Sequence, residues 1–441
     1  MGSRAVSPVR NLWQLLHSVQ KMKIAHIGPP LARIGGPAGY LYQLQRAAHS
    51  RASDSLQVTF PPPASPVAPR PGPLRAQRAR RLLGRWKRRL LGPPQFARPL
   101  GATLLKEGGR IDRMLKGVVH ACVEEATRSL SPALAENGAD ILFVHDIFCA
   151  DFLIRRRQPH HRIWFMAHNP MPMALYLAWN WGVPERNWRE ILTFPDVQRW
   201  VTWEIEVWRQ VDRVVLPCRE AGEELQRSDP RFADVNVNMS YLLSGTSEPP
   251  LGALAGDRHS LRHRWQLPLD APVGLYVGNA QPYRGLDTVL ESLRLLPQPT
   301  DVPGVLAVAG PDPESLPRHP RLLPLGYVSE IGSVLAAVDF VLNVNRFSLF
   351  DLSTIEATAA GKPVLLHAIG GNKTFRDLGA GCICVPDLNP ETIASGLVTM
   401  FGLSHDQLHV LERASRNCYE AHLTSERMWE RHLRLYEAAV S

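Results

Sequence analysis

Charged and small residues follow several predicted strands of this sequence, in positions suited to binding an anion. Arg284 lies in the loop after one strand, and Asp351 to Thr354 open a predicted helix. A cation and the backbone amides of a helix N-terminus both stabilise negative charge. Gly35 and Gly36 follow the first strand, and their lack of side chains lets the backbone approach a ligand closely. These residue types suit an anionic ligand.

Two histidines end predicted strands in the first half of the chain. His168 stands in the run FMAHN, and His145 is followed by an aspartate. A histidine ring can donate or accept a hydrogen bond at neutral pH, so both are candidates for contact with a substrate. Taken alone, a histidine at a strand end is more often structural.

The elements that would position these residues alternate between strand and helix through both halves, as in doubly wound α/β domains. We therefore predict an α/β protein of two Rossmann-like domains that face a central cleft, with ligands at the carboxyl ends of the strands. The predicted strands are 22–28, 141–145, 163–168, 213–217, 272–279, 305–311, 340–345, 362–368 and 382–386.

The periodic pattern lapses near 241–250, where Ser, Gly and Pro replace it, and this indicates a linker. The amphipathic pattern of 425–439 predicts a helix that crosses back to the first half. The predicted organisation is an N-terminal extension 1–21, a first domain 22–245, a linker 246–262, a second domain 263–424 and a C-terminal helix 425–441.

The positive charge of the chain is concentrated in one region. The 441 residues carry a net charge of +9, yet residues 55–106 hold eleven Lys and Arg and no acidic residue. Within the basic amphipathic segment 70–92, leucines and a tryptophan recur at helical spacing among the basic residues of 74–92. Such a helix can lie on an anionic membrane. A solvated helix packed by its leucines is the alternative, and a nucleic-acid arm would not need the apolar stripe.

Composition excludes several other classes of protein. No stretch approaches the roughly 20 apolar residues of a membrane-spanning helix, and residues 1–22 lack the features of a secretory signal. The six cysteines have no framework spacing, and Cys382 and Cys384 are too close together for the usual metal knuckle. We expect buried thiols, no structural zinc, and a cytoplasmic protein that can also lie at the inner face of the membrane.

Four segments together resemble the GT-B fold retaining glycosyltransferases of family 4 (glycosyltransferase group 1), which use nucleotide sugars. They are MKIAHIGPPLARIGGPAG, GLYVGNAQPYRGLDTVLESL, LPLGYVSEIGSVLAAVDFVLNVN, and FSLFDLSTIEATAAGKPVL followed by GGNKTFRD. The resemblance runs from about residue 22 to the C-terminus, with little detail between 50 and 130. Any one segment alone would be weak, but four in the same order are specific.

The resemblance implies roles for the residues above. Arg284 would bind the diphosphate, Glu356 the ribose hydroxyls, and His168 would lie beside the sugar, so these three form the implied catalytic set. His145 is a weaker candidate on the acceptor side, the first domain. The second domain would take the donor, without a metal or other cofactor. The implied donor-binding residues are Gly35, Gly36, Gly278, Asn279, Arg284, Ser348, Asp351, Leu352, Glu356 and Lys373.

Two residues depart from the family pattern. Ser348 stands where the family has the first glutamate of its Glu-x7-Glu motif, and Asn279 replaces a frequent arginine. Serine keeps a hydrogen bond but loses a charge-assisted one. Asp351 and Lys373 are the residues that would compensate for these losses. A catalytically degenerate protein that acts as a membrane-surface scaffold therefore remains the alternative.

The resemblance thus implies transfer of a sugar from a nucleotide-diphosphate sugar to a hydroxyl acceptor, with retention. The basic segment 74–92 favours a lipid-linked or membrane-associated saccharide acceptor, as in polysaccharide or lipopolysaccharide assembly. A dehydrogenase would need a full G-x-G-x-x-G loop, whereas the first loop reads GGPAG. A phosphorylase would need a pyridoxal lysine, and nothing marks one.

Overall fold

The computed structural model describes residues 22–29, 31, 36–49, 56–63, 111–113, 115–117, 138–235, 238–248 and 257–440. The basic segment 74–92 and Gly35 lie outside the described residues, so the predictions made for them stay predictions.

The first sheet has six parallel strands in the order β2-β1-β3-β4-β5-β6. Its central strands are short apolar runs, and all four residues of β3 are buried. A strand buried on both faces is expected where helices cover both sides of a parallel sheet. The strands are β1 Met22–Ile27, β2 Leu56–Thr59, β3 Ile141–Val144, β4 Arg162–Met166, β5 Arg213–Leu216 and β6 Met239–Tyr241.

The second sheet also has six parallel strands, in the order β12-β11-β10-β7-β8-β9. In both sheets the strand order reverses at the first strand of the domain, which creates a crevice at the carboxyl ends of the central strands. The strands are β7 Val273–Val277, β8 Val305–Ala309, β9 Leu322–Gly326, β10 Phe340–Asn343, β11 Val364–His367 and β12 Cys382–Val385.

Helices connect the strands and cover the sheets. Those of the first half are α1 Gly36–His49, α2 Ile147–Ile154, α3 Met173–Leu177, α4 Trp188–Leu192, α5 Pro195–Gln210 and α6 Arg219–Ser228. The second half has α7 Arg258–Arg264, α8 Leu286–Ser292, α9 Ile331–Ala337, α10 Leu352–Ala359, α11 Gly371–Asp377, α12 Pro390–Phe401, α13 His405–Cys418 and α14 Ser425–Val440.

The C-terminal helix α14 packs on the first sheet's side of the molecule. Its Met428, Trp429 and Tyr436 are buried in one apolar cluster with residues of α1, β1 and β3. The residues just before α14 contact residues 245 and 246, and the Thr246 amide donates to the Leu423 carbonyl at 3.0 Å. A Cβ on Gly245 would lie 2.3 Å from the Thr424 carbonyl oxygen, so only glycine fits this crossing.

The predicted fold class is confirmed, and the nine predicted strands lie close to observed ones. Three further strands, β2, β6 and β9, were not predicted; each lies at or beside the edge of its sheet and is short or partly exposed. Helix α7 begins at Arg258, inside the predicted linker, because Arg262 is buried against the second domain and donates to the Ala337 carbonyl at 3.0 Å. The other predicted domain boundaries stay predictions.

Candidate active site

Arg284 closes a short 3-10 turn, Pro282–Arg284, between β7 and α8. The next residue, Gly285, has a φ of +72°, and a Cβ there would lie 2.3 Å from the Val344 carbonyl oxygen. Glycine is therefore required on both conformational and steric grounds. This turn holds Arg284 at the carboxyl end of β7, against the end of β10.

The Arg284 guanidinium is anchored by Asp351. Its Nη1 lies 3.1 Å from Asp351 Oδ1, while the other carboxylate oxygen accepts hydrogen bonds from Asn345 at 2.8 Å and Ser348 at 3.0 Å. Burial opposes the charged form of Arg284, but the Asp351 carboxylate together with the phenols of Tyr283, Tyr276 and Tyr176 outweighs it and raises the pKa of the guanidinium. Within the described chain, Nε of Arg284 has no hydrogen-bond partner. Asp351 thus fixes the position of Arg284 without binding every donor of the guanidinium.

The N-terminus of α10 lies next to this ion pair. Asp351 occupies the N-cap position, yet its side chain makes no cap hydrogen bond because it is bound to Arg284 and its neighbours. The amides of Leu352 and Ser353 consequently have no acceptor among the described residues. Free amides and a guanidinium side by side form a site for an anion such as a diphosphate.

Glu356 lies one turn into α10 and is mostly buried. Its carboxylate has neither an ion-pair nor a hydrogen-bond partner within the described part of the chain, and burial raises its pKa to about 7. A buried carboxylate with no partner is costly to the fold unless a ligand supplies hydrogen bonds. Ribose hydroxyls are suitable donors. The geometry therefore fits the implied role of Glu356, which stays a prediction.

Ser348 lies beneath this site and does not line the cleft. Its side chain is fully buried, and its hydroxyl lies 3.0 Å from Asp351 Oδ2 and 2.8 Å from Asn372 Oδ1. The expected direct contact of Ser348 with the donor is therefore corrected: in this structure the serine supports Asp351 from behind. Asp351 likewise does not replace the missing glutamate, because Arg284 already occupies its carboxylate.

The side chains of Lys373 and Asn279 also bind other residues of the protein. Lys373 Nζ lies 2.9 Å from Glu223 of α6, so in this structure it joins the two domains and does not extend to the diphosphate site. Asn279 is exposed, and its side-chain oxygen accepts from the Gln281 amide at 3.2 Å. Gly278, just before it, has a φ of +155°. The arginine missing at Asn279 is thus not replaced by Lys373.

His168 and His145 follow β4 and β3, as predicted, but only His168 is partly exposed. His168 Nε2 lies 2.9 Å from His145 Nδ1. Burial lowers the pKa of His168 to about 3, so its imidazole is neutral at physiological pH. His145 is buried behind it and also bonds His26 at 2.9 Å. The expected acceptor contact of His145 is corrected for this reason. Gly36 is exposed at the start of α1.

Contacts between the domains bring the two half-sites together. The loop after His168 enters α3, and the ring of Tyr176 on that helix lies 5.7 Å from the ring of Tyr283, next to Arg284. The buried Glu204 accepts from the Met173 amide at the start of α3 at 2.7 Å, and burial raises the pKa of this carboxyl to about 8. Glu204 therefore holds the start of α3 in place within the first domain. Tyr176 on this helix then makes the contact with Tyr283 of the second domain.

Sequence reasoning missed the residues that support Arg284 and Asp351. Arg346 pairs with Asp287 at 2.8 Å, and its amide donates to the Tyr283 carbonyl at 2.7 Å, so it holds the Arg284 turn. Asn343 and Asn345 sit behind Asp351. The alternating asparagines of the strand FVLNVN, polar where a buried strand should be apolar, are the signal that could have revealed them.

Among the described residues, no three His, Cys, Asp or Glu side chains are grouped to hold a metal ion. Metal independence stays a prediction. None of the five cysteines in this part of the chain forms a disulfide. No helix within these residues is both long enough and apolar enough to span a bilayer.

Residues 271–402, which include Arg284, Asp351 and Glu356, match the family model "Glycosyl transferases group 1". D-inositol 3-phosphate glycosyltransferase from Xylanimonas cellulosilytica is 28% identical over 193 residues, which cover 41% of this chain and 46% of that protein. The chain thus spans about half the length of this curated relative.

Solved structures match nearly the whole chain in shape. Sucrose-phosphate synthase from Thermosynechococcus elongatus superimposes with a TM-score of 0.62 at 16% identity, covering 96% of this chain and 100% of that one. Anabaena HepE in complex with UDP-glucose gives 0.58 at 12% identity, covering 95% and 100%. The chain has the GT-B fold, and its residues 271–402 are similar to the group 1 glycosyltransferases. The GT-B fold and the similarity to group 1 glycosyltransferases, both expected from the sequence, are thereby confirmed.

Proposed function

We propose that this GT-B protein transfers a sugar from a nucleotide-diphosphate sugar to a hydroxyl acceptor. The bond between the anomeric carbon and the β-phosphate oxygen breaks, its electron pair stays with the leaving nucleoside diphosphate, and the acceptor oxygen bonds to the anomeric carbon. The acceptor's proton passes to the leaving phosphate. The observation that carries the proposal is the anion site of Arg284 and the free amides of α10, with the unpaired Glu356 one turn away.

Each group has a task in this reaction. Arg284 and the amides of Leu352 and Ser353 stabilise the charge that grows on the β-phosphate, as fixed dipoles and cations do at other anionic transition states. Glu356 accepts hydrogen bonds from the ribose. His168 contacts the donor from the first domain, across the cleft.

The name of the curated relatives specifies an inositol phosphate as the acceptor, and one similar solved structure contains UDP-glucose. Both support a nucleotide-sugar donor and a hydroxyl-bearing acceptor here. We further propose retention of the anomeric configuration, independence of metal ions, and a lipid-linked or membrane-associated saccharide acceptor. The last of these rests on the basic pattern of 74–92.

A panel of nucleotides (UDP, GDP, ADP, TDP and CMP), with NAD as control, tests the donor site by thermal stabilisation. A nucleotide at a hundred times its Kd adds about 2.7 kcal/mol to the free energy of unfolding. We expect one diphosphate to stabilise the wild type and to lose this effect in Arg284→Ala. Arg264→Ala, which removes an exposed arginine paired with Glu330, should retain it. The matching nucleotide sugar should then be turned over, and stabilisation of Arg284→Ala equal to wild type would contradict the assigned role.

A catalytically degenerate scaffold is the second candidate. Two observations favour it, namely the neutral Ser348 buried beneath the site and the engagement of Lys373 by Glu223. Binding of a diphosphate without turnover of any nucleotide sugar, on either soluble or vesicle-bound acceptors, would support this candidate. Turnover that survives removal of metal ions by EDTA would support the enzyme.

A further inference from the structure

Three imidazoles and one phenol form a hydrogen-bonded row from the cleft to the C-terminal helix. This histidine row consists of His168, His145, His26 and Tyr436. His168 Nε2 lies 2.9 Å from His145 Nδ1, and His145 Nε2 lies 2.9 Å from His26 Nδ1. His26 Nε2 lies 2.8 Å from the Tyr436 hydroxyl. The row joins β4, β3, β1 and α14, which are distant in sequence.

Packing holds the rings of the row in place. The His26 ring stacks between the rings of Phe60 and Phe143, with centroid distances of 4.8 and 5.0 Å. Phe143 also stacks on His145 at 5.0 Å. Rings fixed in this way cannot turn over to exchange their nitrogens without disrupting the core. The donor or acceptor state of each nitrogen is therefore set by its partner along the row.

Each imidazole of the row is neutral at physiological pH. Burial holds the pKa of His26 and of His145 well below the ordinary value, and lowers that of His168 to about 3. Burial also raises the pKa of Tyr436, so its hydroxyl keeps its proton. A neutral imidazole carries one N–H, so each ring donates on one side and accepts on the other. The whole row must then point in one of two directions.

The Tyr436 hydroxyl decides between them. In one direction Tyr436 donates to His26, His26 Nδ1–H donates to His145, and His145 Nδ1–H donates to His168 Nε2. In the other direction the buried hydroxyl hydrogen would have no acceptor, since the structure gives this group no second partner in the described chain. An unsatisfied buried donor is the costlier outcome. The first direction leaves His168 with its proton on Nδ1, a nitrogen that has no partner within the described residues.

The neighbouring pair of Tyr40 and His432 shows the same order. His432 Nδ1 lies 2.8 Å from the Met428 carbonyl oxygen and must donate to it, so its Nε2 accepts from the Tyr40 hydroxyl at 2.9 Å. This pair has no hydrogen bond to the histidine row among the described residues. It therefore offers a matched control.

We propose that Tyr436, acting through His26 and His145, fixes the tautomer of His168, so that His168 presents an Nδ1–H donor to an oxygen of the bound nucleotide sugar. Tyr436, His26 and His145 are positioning residues, and His168 acts as a hydrogen-bond donor, not as a base. This inference rests on the proposed function for the identity of the ligand. The tautomer itself does not depend on that function.

The test is histidine nitrogen NMR on the full chain labelled with ¹⁵N-histidine, with the His168 signals assigned by their loss in His168→Asn. We expect a protonated Nδ1 and an unprotonated Nε2 on His168 in the wild type. Tyr436→Phe should give a mixture of tautomers or the reverse one, and Tyr40→Phe should leave the signals of His168 unchanged. A protonated Nε2 in the wild type, or an unchanged signature in Tyr436→Phe, would overturn the proposal. His26→Gln, which interrupts the row at another point, replaces Tyr436→Phe if that variant does not fold.

Turnover provides the second readout. We expect Tyr436→Phe to lower kcat roughly ten- to hundredfold, the effect of a lost hydrogen bond to a charged group. In His168→Asn the amide nitrogen takes the place of Nδ1 and has no tautomer to set, so adding Tyr436→Phe should lower kcat no further. An equal loss in both backgrounds would indicate a merely structural tyrosine and overturn the proposal. If no nucleotide sugar is turned over, the proposed function fails while the NMR result still decides the tautomer.

Discussion

Replacing Glu356 by glutamine should stabilise the ligand-free protein and weaken its binding of nucleotides. The carboxylate is mostly buried and has no partner among the described residues, so the fold is less stable when it is ionised. Glutamine has nearly the same shape and carries no charge. It can still accept a hydrogen bond from ribose, but without the charge assistance that a carboxylate gives.

The size of the effect depends on pH in a defined direction. Burial raises the pKa of Glu356 from 4.5 to about 7, and this difference corresponds to at most about 3 kcal/mol. Because the folded-state pKa is the higher one, the unfolded chain ionises first. The wild type therefore loses stability as pH rises from about 4.5 to about 7, whereas Glu356→Gln does not. The gain in the variant should be full above pH 7, absent below pH 4.5, and reduced by the partial exposure of the side chain.

Urea unfolding of both proteins at pH 5 and pH 8 measures this difference. Glu291→Gln is the control, because Glu291 is an exposed residue of helix α8 and its replacement should change stability by less than about 0.5 kcal/mol. Titration calorimetry with the stabilising diphosphate completes the test. Wild-type affinity should rise roughly tenfold between pH 6 and pH 8, as the fraction of ionised Glu356 does, and Glu356→Gln should lack this component of the pH dependence.

A loss of stability in Glu356→Gln at pH 8 would contradict this prediction, because it would mean that the carboxylate has a stabilising partner. Unchanged nucleotide affinity at pH 8 would separately refute the role at the ribose. A gain in stability together with weaker binding is the combination expected of a residue kept for function.

Two further predictions concern the charges of the site and of the basic segment. Asp351→Asn should bind the nucleoside diphosphate a few-fold more tightly in calorimetry, because Arg284 loses its competing anion. Its kcat should fall, because the guanidinium also loses its anchor. Weaker binding would contradict this charge balance. In vesicle sedimentation, the protein should detach from anionic vesicles when the basic residues of the segment are neutralised, namely Arg78, Arg81, Arg85, Lys87, Arg88 and Arg89. Raised salt should detach the wild type in the same way. A variant that stays bound would exclude the membrane surface as the partner of this segment.

The sequence was sufficient for the fold and for the loops that bear the site. Buried strands such as 272–279 and 340–345 are continuous apolar runs, and a parallel sheet is the structure in which such runs are buried on both faces. The order of strands and helices then placed Arg284, Asp351 and His168 at one edge of their sheets. Edge strands such as β2 have mixed exposure, with a pattern too short to separate from a loop.

The contacts of individual side chains could not be predicted from the sequence in the same way. Lys373 is directed to Glu223 by the packing of α11 against α6, which are 150 residues apart, and no local pattern encodes that meeting. The sequence predicts His145 as a weaker acceptor-side candidate, because it stands at a strand end of the first domain. Its ring instead lies behind His168, where it bonds His26 of the adjacent strand β1. Such contacts follow from strand register and ring packing, which only the assembled structure defines.

The departures at Ser348 and Asn279 change the balance of charge more than they remove a site. With a glutamate at 348, a second carboxylate would lie close to Asp351 and both would compete for Arg284. Serine instead donates a hydrogen bond to Asp351, which lets that single carboxylate hold Arg284 at the end of α10. The anion site is then nearly neutral before a ligand binds, and its remaining pull on a diphosphate comes from the free donors of Arg284 and the amides of Leu352 and Ser353. A donor site built this way depends on geometry more than on net charge, and its affinity for a nucleoside diphosphate should accordingly respond only weakly to salt.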